Sequence, residues 1–249
     1  CRGRKIRAGS RRGLLSARFV TPARRTCLYE FHAAHGARFV DFAGWEMPVQ
    51  YRSILEEHRA VRNAAGLFDV SHMGEIAVRG ERAAFLIDWL ITNDASRLSP
   101  GRVLYSPMCN ADGGVIDDLL VYMRGEGAYL ICVNASNATR DFEWIRSQVG
   151  DTGCDIRDES AAWSLLAVQG PQSERILQGL TSVPLDAIRY YHFAEGEVAG
   201  VPCLISRTGY TGEAGFELFC PWEDARRLAP AIEEAGATHG LACCGLGAR

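Results

Sequence analysis

Short strand-like runs, many of them closed by glycine, constrain the fold of this chain more than any other feature. Residues 75–79 alternate apolar and polar side chains with a period of two, and Gly80 ends the run. The segments that follow are the helical patterns 81–91 and 138–148 and the strand-like runs 103–108, 115–123 and 128–133. This alternation of strands and helices predicts an α+β fold, in which antiparallel strands form a sheet with helices on one face.

A second block of elements begins near Trp163. Its predicted elements are the strand 164–170, the helix 172–180, two short strands within 196–207, the strand 215–219 and the helix 223–236. Before the first block, the sequence predicts a short helix over 28–36, a strand over 39–42 and a helix over 53–65. Ser53 is the expected N-cap of that last helix, and Gly66 is the expected residue that ends it.

The first 25 residues are basic, with nine Lys or Arg and no Asp or Glu. This composition is typical of a mitochondrial transit peptide, or of a disordered start that is not part of the fold. The pair Arg11-Arg12 also resembles a twin-arginine export signal, but Arg18 interrupts an apolar stretch that is already short. We predict a basic leader over residues 1–26.

Composition excludes several classes of protein. The net charge is −3, which does not favour a nucleic-acid partner, and no apolar run reaches the 18–20 residues, roughly, that a membrane span needs. The chain has nine cysteines, an odd number, and no CxxC pair, so neither a zinc ribbon nor a disulfide framework is indicated. The cysteines in apolar runs are expected to be buried thiols in a reducing compartment.

Two adjacent carboxylates, Asp117 and Asp118, occur in a strand-like run. Neighbouring residues of a strand point to opposite faces, so one of the two must face inward if the sheet has a buried side. A buried carboxylate is costly unless it is paired or hydrogen-bonded. A turn, a cap or an Arg usually meets this cost, and a ligand sometimes does.

The segment 208–217 contains Gly209, Gly212 and Gly215, so its backbone can turn sharply and approach another group closely. It matches neither common phosphate-binding pattern, and a glycine-rich hairpin is the plainer interpretation. His72 is interpreted as structural or hydrogen-bonding, because a catalytic triad with Asp69 and Ser71 cannot form within so short a segment. The other histidines show no metal-ligand spacing.

The ordered motifs DFAGWEMPVQY, FDVSHMGEI, GGVIDDL, VNASN, AVQGP, GYTGEAGFE and GLGAR resemble those of the aminomethyltransferase (T-protein) of the glycine cleavage system. The resemblance runs from about Leu28 to Arg249. It implies a discontinuous first domain over 27–68 and 163–249, with a second domain over 69–162 inserted between them. The family continues beyond GLGAR into a C-terminal, β-barrel-like domain, which this chain is expected to lack.

The resemblance also implies a reaction. A lipoyl group carried by H-protein brings an aminomethyl unit, ammonia is released, and tetrahydrofolate becomes 5,10-methylenetetrahydrofolate. By motif, Asp117 is expected to be the catalytic carboxylate, Asn134 and Glu217 to hydrogen-bond the pterin, and no metal is required. The remaining expected folate contacts are Tyr210, Arg249, Tyr105 and Met73.

Several alternatives stay open. Folate-dependent domains of dimethylglycine and sarcosine dehydrogenases and a sulfoniopropionate demethylase share the architecture. The chain could also be a non-catalytic folate-binding protein that assists iron–sulfur cluster assembly, or an inactive fragment. A bacterial cytoplasm is the expected compartment, with the mitochondrial matrix as the alternative.

Overall fold

The computed structural model describes residues 23–249, which form two β-sheets, a β-hairpin and six α-helices. The helices are α1 Tyr29–Ala34, α2 Ile54–Asn63, α3 Ala83–Leu90, α4 Ala138–Ser147, α5 Ser173–Gln178 and α6 Ala225–Gly236. The strands up to residue 158 are β1 Arg38–Phe42, β2 Trp45–Gln50, β3 Ala65–Asp69, β4 Gly74–Arg79, β5 Val103–Cys109, β6 Val115–Gly125, β7 Ala128–Val133 and β8 Asp155–Asp158. The later strands are β9 Trp163–Gln169, β10 Phe193–Val198, β11 Val201–Ser206, β12 Gly215–Pro221 and β13 Leu241–Cys243. No helix in this described range is long and apolar enough to cross a membrane.

The first sheet has five antiparallel strands in the order β5-β6-β7-β4-β8. Helices α3 and α4 cover one of its faces, where Leu86 and Ile145 pack with Leu119 and Val121 of β6 in one buried cluster. Burial of each such side chain stabilises the fold by about 1.5–3 kcal/mol. The opposite face of this sheet meets the second sheet.

The second sheet has six strands in the order β10-β11-β12-β9-β3-β13, and of its pairs only β13 with β3 is parallel. Helices α5 and α6 contribute Leu177, Leu228 and Ile232 to the cluster on its outer face. The inner face packs against the first sheet, where Tyr122 and Phe219 lie with their ring centroids 5.2 Å apart. Both sheets are therefore covered on both sides, which explains why β4 is buried along nearly its whole length rather than on alternate residues.

The predicted α+β class is confirmed. The division into two domains remains a proposal, supported by the fact that the six-stranded sheet draws its strands from both sides of the segment that forms the five-stranded one. The prediction that Gly66 ends α2 is wrong. The helix ends at Asn63, and Gly66 lies within β3, where a Cβ atom would come within 2.6 Å of Val61 and 2.8 Å of Cys244.

The predicted leader extends too far along the chain. Its residues up to 22 lie outside the described part of the structure, but Arg24 and Thr26 belong to the folded body. Arg24 forms a parallel bridge with Trp45, and its guanidinium lies 3.9 Å from the centroid of the Trp45 ring. The hydroxyl of Thr26 donates to Oδ2 of Asp69 at 2.6 Å.

Candidate functional site

A cavity of about 350 Å³ opens between the two sheets. The five-stranded sheet contributes Asp118, Leu120 and Cys132 to its wall, and the six-stranded sheet contributes Phe68, Ala167, Gln169 and Glu217. Further wall residues come from the loops and the end of the chain: Val70, Met73, Asn134, Tyr191, Thr208, Tyr210 and Arg249. An apolar wall with a few polar groups is typical of small-molecule sites.

Asp117 and Asp118 face opposite sides of β6. Leu119 and Val121 belong to the core beneath α3 and α4, so Asp117, which is in phase with them, points to that helix-covered side. Leu120 and Tyr122 pack between the two sheets, and Asp118 points with them toward the cavity. The carboxylate in the cavity wall is thus Asp118, and this geometry corrects the expectation that Asp117 supplies it.

Asp117 is held by a buried polar network. Its Oδ2 accepts from the backbone N–H of Asn134 at 2.9 Å, and its Oδ1 accepts from the side-chain amides of Asn134 at 2.9 Å and Asn137 at 2.7 Å. Burial disfavours its charged form, but hydrogen bonds from Asp141, Asn134 and Asn137 outweigh it and lower the pKa of Asp117. With its oxygens occupied in this way, Asp117 acts as a structural anchor for Asn134.

Asp141, on α4, completes this network. Its side chain is fully buried, and neither of its oxygens accepts a hydrogen bond from the described residues; the nearest cation is Arg140, whose Nε lies 3.8 Å from Oδ1. Burial, and then the proximity of Asp117, raise the pKa of Asp141 to about 8 against the opposing charge of Arg140. Asp141 therefore keeps its proton at neutral pH and donates it to the ionised Asp117, because two adjacent carboxylates avoid ionising together.

Asn134 links this network to the cavity. Its side-chain nitrogen lies 3.1 Å from Oδ1 of Asp118 and 3.0 Å from the Asp118 carbonyl oxygen. The other carboxylate oxygen of Asp118, Oδ2, accepts from the hydroxyl of Tyr105 at 3.1 Å. That hydrogen bond raises the pKa of the Tyr105 phenol. Asp118 is thus oriented by a donor on each oxygen while it remains partly accessible from the cavity.

A second carboxylate, Glu217 on β12, lines the cavity from the six-stranded sheet. Its Oε2 accepts from the hydroxyl of Thr208 at 2.5 Å. Burial raises the pKa of Glu217, although the Thr208 hydrogen bond opposes that shift. A ligand that donates hydrogen bonds to Glu217 would stabilise its ionised form further.

The glycine-rich segment folds around Gln169. A Cβ atom on Gly209 would lie 2.0 Å from Oε1 of Gln169, and one on Gly215 would lie 2.5 Å from its Nε2. Gln169 is itself fixed, since its Nε2 donates to the carbonyl oxygens of Thr208 and Phe216 and its Oε1 accepts from Thr211. These two glycines therefore allow a close approach to Gln169, and the loop presents Thr208 and Tyr210 to the cavity.

The segment that ends in Arg249 is anchored to α2. Glu57 is buried, and its Oε2 accepts from the backbone N–H of Gly245 at 2.9 Å, while its Oε1 accepts from the N–H groups of Tyr51 and Arg52. A Cβ atom on Gly245 would lie 2.2 Å from the Val49 backbone, so this position requires glycine. The anchored segment places the Arg249 guanidinium 4.9 Å from the centroid of the Tyr210 ring, at the cavity wall.

Six of the seven residues that the sequence predicts for the site line this one cavity: Asn134, Tyr210, Glu217, Arg249, Tyr105 and Met73. Their roles stay predictions. Asp117 is the exception, and sequence reasoning missed Asp118 as the cavity carboxylate as well as Gln169 and Thr208. The alternation of a strand shows that the two aspartates face opposite sides, but the sequence does not show which side holds the cavity.

Buried histidines lie outside the cavity wall. His72 packs edge-on against Phe42 at 5.3 Å between ring centroids, and burial lowers its pKa to about 4, so it is neutral, as suits a structural role. Asp69 pairs with His32 instead, whose Nε2 lies 2.8 Å from its Oδ2. The other nitrogen of His32 lies 2.7 Å from the hydroxyl of Tyr51.

Comparison with known proteins defines the class that this fold and cavity represent. The model of the GCVT N-terminal domain family matches residues 28–249, and the chain belongs to that family. A solved structure of the glycine cleavage system aminomethyltransferase T from Bartonella henselae aligns with a TM-score of 0.82 and 35% identity, covering 90% of this chain and 60% of that one. A chain of the heterotetrameric sarcosine oxidase from Corynebacterium sp. U-96 aligns with a TM-score of 0.61 at 16% identity, covering 88% of this chain and 97% of that one, and shares the fold.

Curated relatives narrow the comparison further. The chain is 56% identical over 226 residues to an aminomethyltransferase of Desulforamulus reducens, covering 91% of this chain and 62% of that protein. It is 54% identical over 226 residues to an aminomethyltransferase of Moorella thermoacetica, again covering 91% of this chain and 62% of that protein. The chain thus spans about three fifths of the length of these curated relatives.

Proposed function

We propose that this chain forms the tetrahydrofolate-binding and catalytic part of an aminomethyltransferase of the glycine cleavage system. The observation that carries the proposal is the convergence of Asp118, Asn134, Glu217 and Arg249 from both sheets on one cavity. The names of the relatives support the reaction class. The lipoyl group of H-protein is the proposed donor, and the bacterial cytoplasm stays the predicted compartment.

The residues of the cavity fit a folate. Glu217 offers a carboxylate to two adjacent N–H donors of a pterin, because the two oxygens of a carboxylate can each accept one of two parallel hydrogen bonds. Phe68, Val70 and Ala167 supply an apolar wall for the flat ring. Arg249 is exposed at the wall and suits the carboxylates of the folate tail.

Tetrahydrofolate supplies the ring nitrogens that accept the one-carbon unit. Asp118 is the proposed catalytic carboxylate, because it is the aspartate of the pair that reaches the cavity. Its negative charge stabilises positive charge that develops beside it, and it can accept a proton there. Tyr105 and Asn134 keep it oriented without a rearrangement during the reaction.

A calorimetric titration of the chain with tetrahydrofolate tests the binding part of this proposal. Glu217→Gln is expected to weaken binding at least about tenfold, since the ligand loses a charge-assisted acceptor. Asp112→Asn is the matched control, because Asp112 lies exposed in the β5–β6 turn. Equal affinities for the parent and Glu217→Gln would contradict the proposed site.

Release of ammonia from aminomethylated lipoyl H-protein then separates the alternatives. An aminomethyltransferase releases ammonia in a tetrahydrofolate-dependent way. A non-catalytic folate binder shows affinity without release, and an inactive fragment shows neither. Either of the last two results would overturn the proposed activity.

A further inference from the structure

Three side chains with metal-binding atoms converge outside the cavity wall. His35 follows α1, Glu233 lies on α6 and Cys243 lies on β13, and one ligand atom from each can be chosen so that all three lie within 4.8 Å of one another. None of them lines the cavity. Because they come from three separate elements, no spacing in the sequence reveals the cluster.

The hydrogen bonds of His35 aim its Nε2 at the other two side chains. Its Nδ1 lies 2.7 Å from the carbonyl oxygen of Phe31, and a carbonyl only accepts, so Nδ1 carries a proton. In the neutral ring Nε2 then presents a lone pair, and it lies 2.9 Å from Oε1 of Glu233. Two electron-rich atoms at that separation need a proton or a cation between them. A histidine that donates to a carbonyl through one nitrogen and offers the other is the arrangement of metal-ligating histidines.

The thiol of Cys243 adds the third donor. Its sulfur lies 3.8 Å from Oε1 of Glu233, and the side chain remains partly accessible. Burial and the nearby carboxylate raise the pKa of the Cys243 thiol to about 12. Without a cation the thiol therefore keeps its proton, whereas a bound metal ion deprotonates a coordinating thiol.

We propose that His35, Glu233 and Cys243 bind one Zn²⁺ ion. The ligands are Nε2, a carboxylate oxygen and the thiolate sulfur, with water at the fourth position, and binding releases the thiol proton to solvent. Zinc accepts this mixture of nitrogen, oxygen and sulfur in tetrahedral geometry. Bond lengths of about 2.0–2.3 Å at tetrahedral angles put ligand atoms roughly 3.3–3.7 Å apart, so the observed separations of 2.9 and 3.8 Å need only small side-chain movements.

The site would join the end of α1, helix α6 and the edge strand β13. Strand β13 leads directly into the segment that carries Arg249 to the cavity. Zinc that binds the folded chain and not the unfolded chain raises the midpoint of thermal unfolding. An ion pair between His35 and Glu233, without a metal, also explains their contact, but it predicts no role for the thiol. Substitution of Cys243 therefore distinguishes a zinc site from an ion pair.

The test is a zinc titration of the whole metal-free chain against a chromophoric chelator. One ion is expected to bind, and Cys243→Ser is expected to weaken its binding at least about tenfold. Cys109→Ser, at another partly accessible cysteine, and Cys1→Ser, at the terminal thiol, are the controls and are expected to change nothing. Substitution with Co²⁺ adds a second readout, since the thiolate-to-cobalt absorption band should be lost in Cys243→Ser and kept in both controls.

Circular dichroism checks that each variant is folded. If Cys243→Ser fails to fold, Glu233→Gln provides the same test, because that side chain is 40% exposed and its substitution is expected to leave the core intact. The absence of one-to-one binding by the parent chain would overturn the proposal. The proposal would also be overturned if the Cys243→Ser or Glu233→Gln variant kept the zinc affinity, the cobalt absorption band and the zinc-induced rise in the unfolding midpoint of the parent chain.

Discussion

Asp117 and Asp118 are adjacent on β6, yet they belong to different environments. Asp117 is 4% exposed and accepts hydrogen bonds from Asn134 and Asn137 on the helix-covered side of the sheet. Asp118 lines the cavity on the other side and accepts from Tyr105. The carboxylate that can meet a ligand and the carboxylate that supports the site are therefore neighbours in the sequence, and Asn134 donates to both.

Asp141→Asn is predicted to flatten the pH dependence of stability. The folded-state pKa of Asp141 is raised to about 8 from an ordinary value of 3.8, so the folded chain binds a proton that the unfolded chain releases between these values. This contribution to stability is fully present below about pH 4 and declines as pH rises to about 8. Asn donates to Asp117 without titrating.

The free energy of unfolding of the parent and Asp141→Asn, measured by urea denaturation from pH 4.5 to 8.5 or so, checks this prediction. The free energy of unfolding of Asp141→Asn, relative to that of the parent, should increase with pH through that window. A constant difference at every pH would show that Asp141 does not hold a proton in the folded chain.

Gly209→Ala is predicted to destabilise the chain by about 1–3 kcal/mol, the usual cost of overpacking. The new methyl group would meet Oε1 of Gln169, which cannot move away because Thr211 and two backbone carbonyls hold that side chain. Gly125→Ala is the matched control, since a Cβ atom there meets nothing within 4 Å. Equal unfolding midpoints for the two variants would refute the packing role of Gly209.

Glu57→Gln is predicted to lower both stability and folate affinity. Glu57 accepts from three backbone N–H groups, including that of Gly245, and an amide offers one acceptor oxygen instead of two. A buried N–H group left without a partner costs about 1–3 kcal/mol. The neighbouring Glu56→Gln, on the exposed side of α2, is the control. Chemical denaturation and tetrahydrofolate titration of both variants measure the effect, and unchanged values in Glu57→Gln would contradict the anchoring of the Arg249 segment.

The sequence predicted most of the elements because alternating runs and a helix N-cap carry local signals. The Ser53 hydroxyl accepts from the N–H of Glu56, as the N-cap pattern indicates. Four strands were missed for separate reasons. β2 contains Pro48, β8 is mostly charged, and β13 has only three residues. β3 is missed because the predicted helix over 53–65 and Gly66, the residue expected to end it, occupy the first two positions of the strand.

At the site, likewise, the sequence identifies residues that belong to a motif but not the contacts that depend on how the sheets pack. Ordered motifs identify Asn134, Glu217 and Arg249 although they lie far apart in the chain. The choice between Asp117 and Asp118 depends on which face of β6 α4 covers, and only the packed sheets decide that. The role of Gln169 likewise appears only when β9 and the 208–215 loop meet.

The most direct test compares Asp118→Asn with Asp117→Asn in tetrahydrofolate-dependent ammonia release from aminomethylated lipoyl H-protein, with rates expressed per folded molecule. Asp118→Asn is predicted to keep the parental unfolding midpoint and lose about 10²-fold or more in rate, because electrostatic stabilisation at the cavity is removed. Asp117→Asn is predicted to lower the unfolding midpoint. Its rate per folded molecule is expected to stay within about tenfold of the parental rate, which corresponds to a rise of roughly 1.4 kcal/mol or less in the activation free energy. A parental rate in Asp118→Asn, with the large loss in Asp117→Asn, would contradict the account.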